Sequence, residues 1–161
     1  DTPAKPLRRV FAAVTLPNHT SALVWSGQLD SLLGTRPAAT VFLRLSLRPA
    51  VAVSGAAEDV LTVTDHWLTP FHEVVLPPAR PVIVEVVLNK EASATITIAS
   101  NVTAAFVSLE CDTLEGAFTD GAFTLLAAQE RRVTFLGRRR FSREELVAGL
   151  RVRSLWDTYN P

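Results

Sequence analysis

Strict two-residue alternation constrains this chain more than any other feature. In residues 40–47 (TVFLRLSL) Val41, Leu43, Leu45 and Leu47 fall on one side and Arg44 and Ser46 on the other, the pattern of a strand buried on one face. Residues 82–88 repeat it, with Val82, Val84, Val86 and Leu88 on one face and Glu85 opposite. Ala94, Ile96 and Ile98 then alternate with Thr95, Thr97 and Ala99. Shorter strands are predicted at 10–16, 22–29, 60–64, 105–109, 132–136 and 150–155. Turn chemistry separates them, at Leu16-Pro17-Asn18, Gly34-Thr35-Arg36-Pro37, Ser54-Gly55, Pro77-Pro78 and Asp120-Gly121. Many short Val- and Thr-rich strands punctuated in this way predict an all-β chain made of antiparallel sandwiches.

Residues 76–81 (LPPARP) place three prolines within six residues, which excludes both helix and central strand pairing and favours a semi-rigid connector. The 161 residues therefore divide into two predicted units, 1–78 and 79–161. With 48% hydrophobic and 20% charged residues the chain can bury a core. No apolar run approaches the ~20 residues that span a bilayer, so no membrane partner is expected. Sixteen basic and sixteen acidic residues cancel, which removes the electrostatic case for nucleic acid. The balance is uneven: residues 1–50 hold six basic and two acidic groups, and residues 51–100 hold two and six. Such segments suit pairing with each other or with a larger body better than with a polyanion. The chain begins with Asp1 and contains no methionine, so it is expected to be a processed or excised piece of a longer product.

The last third is the most specific. It runs through an apolar strand, a Gly116-x-Phe118-x-Asp120-x-x-Phe123 turn, a second strand, a short helix and a closing strand that ends Ser154-Leu155-Trp156-Asp157-Thr158-Tyr159. Ser142 followed by Glu145 is a capping box at the helix start. Leu146, Val147 and Leu150 form its narrow apolar stripe, and Gly149 marks its end. The helix is too short to stand alone and is predicted to cross one end of the sandwich.

This order resembles the C-terminal immunoglobulin-like domain of β-mannosidases of glycoside hydrolase family 2. There a G-x-F-S-D-N-G-F turn, an S-x-x-E helix and an S-L-x-D-x-Y ending follow one another. The resemblance covers residues 82–159, and residues 39–76, with DHWLTPFHEVVLP, look like the end of the preceding immunoglobulin-like domain. Here the glycine of the turn sits one place early, in Asp120-Gly121-Ala122-Phe123. The resemblance implies an immunoglobulin-like antiparallel β-sandwich, two such units, with one short helix near the C-terminus. It also implies a non-catalytic C-terminal part of a retaining exo-glycosidase, bracing the catalytic barrel and shaping the rim of its pocket. Sister family 2 enzymes such as exo-β-glucosaminidases carry a similar domain, and a free-standing glycan-binding or adhesion sandwich is the alternative from another class.

The residues themselves offer no catalytic, cofactor-binding or metal-binding set. Retaining glycosidases need two carboxyls about 5–5.5 Å apart, which the family places on its barrel. The close acidic pairs here, Glu58-Asp59, Glu110/Asp112 and Glu144-Glu145, read as solvated faces. His19, His66 and His72 lack a zinc-finger spacing. The lone Cys111 reads as a reduced structural thiol, since the adjacent carboxylates disfavour a thiolate. The arginines 131, 132, 138, 139, 140 and 143 read as a solvated loop, or alternatively as a docking patch. Trp67, Phe71 and Trp156 are candidate interdomain or glycan contacts. Asn18-His19-Thr20 and Asn101-Val102-Thr103 are N-glycosylation sequons at predicted turns, the second at a hairpin tip. They point to a lysosomal or secreted protein. The expected partners are a catalytic barrel domain or chain, and glycans.

Overall fold

The computed structural model describes residues 9–49, 61–90 and 92–159. Two compact units emerge, one ending at Val75 and the other running from Leu76, at the head of the proline-rich segment.

In the second unit, β3 (Val82–Leu88), β4 (Ser93–Ala99), β6 (Gly116–Phe118) and β8 (Glu130–Gly137) form a four-stranded antiparallel sheet ordered β3-β4-β8-β6. A three-stranded sheet ordered β7-β5-β9 joins β5 (Ala104–Cys111), β7 (Phe123–Leu125) and β9 (Leu150–Arg153). The core lies between the two sheets. Ala94, Ile96 and Ile98 of β4 are fully buried, opposite Val107 of β5 and beside Val133 and Phe135 of β8. Of the alternating residues on the other face of β4, Thr95 is partly exposed as the sequence pattern predicts, but Thr97 is buried, at 4% exposure.

Two irregularities reset that pattern elsewhere. The register of β3 against β4 slips between Ile83 and Glu85, so its apolar residues do not share one buried face. Val86 is buried, whereas Val82 and Val84 are each 55% exposed and Leu88 is exposed as well. In β5, the four residues from Ala104 to Val107 span what three, Phe123 to Leu125, cover on β7. The extra residue is accommodated at Phe106, whose φ is 50°, and this bulge lets Ala104, Ala105, Val107 and Leu109 all be buried.

The links between strands carry the family-like motifs. Gly116 and Phe118 lie in β6 of one sheet and Phe123 in β7 of the other, so the predicted turn is a sheet-to-sheet crossover. β4 and β5 also belong to different sheets. Residues 100–103 are therefore an arch between sheets and not the expected hairpin tip. From β8 the chain passes through α2 (Arg143–Gly149) to β9, packing α2 against β3 and β5. Leu146 of α2 is fully buried, but Val147 is 44% exposed and takes no part in the stripe. Gly149 is buried and does not have a left-handed backbone; a Cβ there would collide with Thr113. It marks a close approach and not a glycine cap. The predicted closing strand stops at Arg153, and residues 155–159 form the short helix α3 (Leu155–Tyr159).

In the first unit, β1 (Phe42–Leu47) pairs antiparallel with β2 (Thr62–Trp67). Arg44 and Asp65, directly opposite, form a bidentate pair at 2.7 and 2.8 Å. The strands expected at 10–16 and 22–29 are absent; exposed, non-strand backbone leads instead to α1 (Leu29–Leu33). None of the described residues of this unit is buried, and Leu45 and Leu47 are 57% and 48% exposed. Among the described residues it is a two-stranded sheet. The Ser54-Gly55 turn and the Glu58-Asp59 pair lie outside the described residues.

Candidate functional site

The crossover, the α2 cap and the C-terminal turn are each organised by short polar networks. At the crossover, Gly116 has no room for a side chain, because a Cβ would run into the Phe135 ring. Phe118 lies with its ring centroid 5.0 Å from that of Phe135, and Phe118 and Phe123 both pack on the core while remaining partly exposed. Asp120 accepts the Gly121 amide at 2.9 Å and pairs with Arg131, whose guanidinium lies over the Phe123 ring. Ala122, not Gly121, occupies the left-handed backbone position, with φ 55°. The glycine that comes early in the sequence therefore sits beside the place where glycine conformation is required.

At α2 both arms of the capping box are made: the Glu145 amide donates to Ser142 Oγ at 3.1 Å, and the Ser142 amide donates to Glu145 Oε2 at 3.2 Å. Arg139 adds a hydrogen-bonded ion pair to Glu145 at 2.8 Å. That bond, then the Ser142 amide, holds the Glu145 carboxyl below its ordinary range and raises the Arg139 guanidinium. Glu144 is lowered too, through its own backbone amide and then the Ser142 hydroxyl.

The ending Ser154-Leu155-Trp156-Asp157 closes the domain on itself. The Ser154 amide donates to Asp157 Oδ2 at 2.7 Å, and the Asp157 amide donates to the Ser154 carbonyl at 3.1 Å. This pairing turns the chain into α3. The Ser154 hydroxyl is buried, 3.1 Å from the Ala79 carbonyl and 3.0 Å from Asp157 Oδ2, and so ties the C-terminal turn to the start of the unit. The Arg80 guanidinium sits over the half-buried Trp156 ring at 5.9 Å. The S-x-x-D spacing was available in the sequence as a cap signal. The Ala79 and Arg80 contacts, across about seventy-five residues, had no local signal.

The remaining candidates are placed as follows. Trp67 stacks on Phe42 at 4.8 Å between centroids and meets Phe71 edge-on at 6.1 Å; Phe71 is 44% exposed. Asp65 pairs with Arg44 and not with His66, while His72 lies 3.5 Å from Glu73 on the surface. Glu110, Asp112 and Glu115 each face an arginine, Arg153 at 3.9 Å, Arg151 at 2.8 Å and Arg138 at 3.7 Å. The Asp112 hydrogen bond raises the Arg151 guanidinium. Cys111 is half-buried with its Sγ 3.6 Å from Thr113 Oγ1. A shallow cleft of about 240 Å³ is lined by Leu88, Asn89, Ala92, Ser93, Arg140 and Phe141. Among the described residues no cluster of three His, Cys, Asp or Glu could hold a metal ion, and no helix is long and apolar enough to cross a membrane.

Chemically, these carboxylates act as acceptors for guanidinium and backbone amide groups. A glycosidase general acid requires a carboxyl raised toward neutrality, and Glu144 and Glu145 move the other way. Residues 79–158 match the family model of the mannosidase Ig-fold domain. No curated protein matches the chain.

Proposed function

Residues 79–158 being an Ig-fold domain of the mannosidase type, we propose that the chain is a non-catalytic C-terminal part of a β-mannosidase-like retaining exo-glycosidase. In this reading the domain braces the catalytic barrel and completes the rim of its pocket, in a lysosomal or secreted enzyme. The family match carries the reading. Two structural features support it. Glu110, Asp112 and Glu145 of the Ig-fold domain are committed to arginine pairs and a helix cap, so they are poorly suited to the acid and nucleophile roles. The first unit, a two-stranded sheet with no buried residue among those described, gains stability only by packing on something else. Trp67 and Phe71 of this unit, and separately Trp156 of the Ig-fold domain, are the proposed anchors on the catalytic barrel, where an interdomain interface typically buries ~600–1,500 Å².

Incubating the purified chain with an aryl β-mannoside between about pH 4 and 7, where paired glutamates work as acid and nucleophile, tests the assignment. No hydrolysis is expected. Turnover that follows the chain through purification would overturn it. The exposed Phe71 beside the Trp67–Phe42 stack gives the glycan-binding alternative its one structural support. Saturable binding of mannosides by the chain alone, lost in Phe71→Ala, would replace the brace with a carbohydrate-binding module.

A further inference from the structure

We propose that Asn101 is an N-glycan acceptor, carrying an oligosaccharide on the arch between β4 and β5. The arch is held on both sides of this residue. Ser100 is 4% exposed, its hydroxyl donates to the Val102 carbonyl at 2.7 Å, and its carbonyl accepts the Ala128 amide at 3.0 Å. Val102 packs on the core, and Thr103 Oγ1 accepts the Ala127 amide at 3.4 Å. Between these anchored neighbours Asn101 is exposed.

Asparagine is favoured in turns for two structural reasons: it tolerates the left-handed backbone, and its side chain can bond nearby backbone groups. Asn101 meets neither. Among the described residues the left-handed positions outside glycine are His19, Ala92, Phe106, Ala122 and Ala128, not Asn101, and the Asn101 carboxamide forms no hydrogen bond. What remains is a free carboxamide held out from a rigid arch, with the hydroxyl of Thr103 two residues on, the arrangement that an N-glycosylation acceptor requires. A bulky, hydrated sugar at that point displaces no packed side chain.

The co-reactant is a lipid-diphosphate-linked oligosaccharide. Asn101 Nδ2 attacks the sugar C1, a C1–N bond forms and the C1–O bond to diphosphate breaks. The lipid diphosphate leaves with the bonding electron pair, and the amide gives up one proton to a base. Transfer precedes folding, when Thr103 is not yet engaged with Ala127, and the folded arch then holds the glycan in solvent.

The full chain, behind a secretion signal in a eukaryotic host and in an Asn18→Gln background, leaves this sequon to be read alone. The expected result is secreted protein whose mobility increases on peptide-N-glycosidase digestion, with Asp replacing Asn at position 101 in the digested peptide and incorporating heavy oxygen from labelled water. Asn101→Gln is expected to abolish the shift and Thr103→Ser to keep it. Asn101→Gln removes an exposed, unbonded side chain, so its effect on glycan separates from any effect on folding. Secreted, folded protein with unmodified Asn101, or a digestible glycan that persists in Asn101→Gln, would overturn the proposal.

Discussion

Moving the crossover glycine one place along the chain is expected to stabilise the Ig-fold domain. Ala122 holds a left-handed backbone, φ 55°, which costs an L-residue roughly 1–2 kcal/mol. Its side chain is exposed, so Ala122→Gly forfeits no packing and relieves that strain. The added freedom of glycine in the unfolded chain returns ~0.4–1 kcal/mol of the gain, leaving a net stabilisation of about 0.5–1 kcal/mol. Gly121 is the converse: its backbone is not left-handed, and a Cβ there meets no atom within 4 Å. Gly121→Ala therefore gains ~0.4–1 kcal/mol by restricting the unfolded chain. Asp120 still accepts the amide of residue 121 in either variant. The two changes share one turn and need not add fully, so the double swap is expected to gain about 1–1.5 kcal/mol. That corresponds to a rise in Tm of roughly 4–10 °C for a domain of this size. Thermal melts and urea titrations of the whole chain, with an unchanged m value, measure it. Ala122→Val serves as the opposite control, since a β-branched residue is least tolerant of positive φ. Ala122→Gly that lowers Tm, or Ala122→Val that raises it, would refute the left-handed assignment and the account of the crossover built on it.

Other perturbations probe the remaining networks. Gly149→Ala must push Thr113 aside and is expected to cost ~1–3 kcal/mol by overpacking, read as a lower urea midpoint. Ser154→Ala removes the buried hydroxyl that joins the C-terminal turn to Ala79. It is expected to cost ~1–3 kcal/mol and to speed amide exchange at both ends of the domain. Glu145 and Glu144 have folded pKa values below the unfolded carboxylate value of about 4.3. Their contribution is therefore complete above that pH and is lost as pH falls through the lowered values. A Tm profile is expected to fall more steeply below about pH 4.3 in the native chain than in Glu145→Gln, where a neutral amide keeps part of the cap; identical acid limbs would contradict this.

The parts of the fold that sequence conveyed are those governed by neighbouring residues. Ala94, Ile96 and Ile98 alternate because β4 pairs with a strand on each side and turns this face to the core; the period fails only at Thr97, which is buried as well. Ser142 and Glu145 are three residues apart and cap the same helix turn. The errors arise where a non-local event resets a local rule. The slip between Ile83 and Glu85 turns an apparently one-faced strand outward, and nothing in the residues 82–88 announces it. Residues 10–16 and 22–29 read as shorter versions of the alternating strands, but they pair with no strand among the described residues and are non-strand backbone. Trp156 sits in a strand-like apolar run, yet the Ser154–Asp157 bonds turn it into α3. No catalytic set was legible in the sequence. In the Ig-fold domain the carboxylates of β5, of the loop after it and of the α2 cap face arginines.

Size-exclusion chromatography with light scattering on protein from its natural source tests the proposed role most directly. Peptides from residues 79–158 are followed through the column alongside hydrolysis of an aryl β-mannoside. The account predicts that these peptides and the activity co-elute in a particle well above 17.5 kDa, and that Trp156→Ala in recombinant material loosens that association before the domain unfolds. A stable 17.5 kDa species with no companion body, separated from the activity, would contradict it.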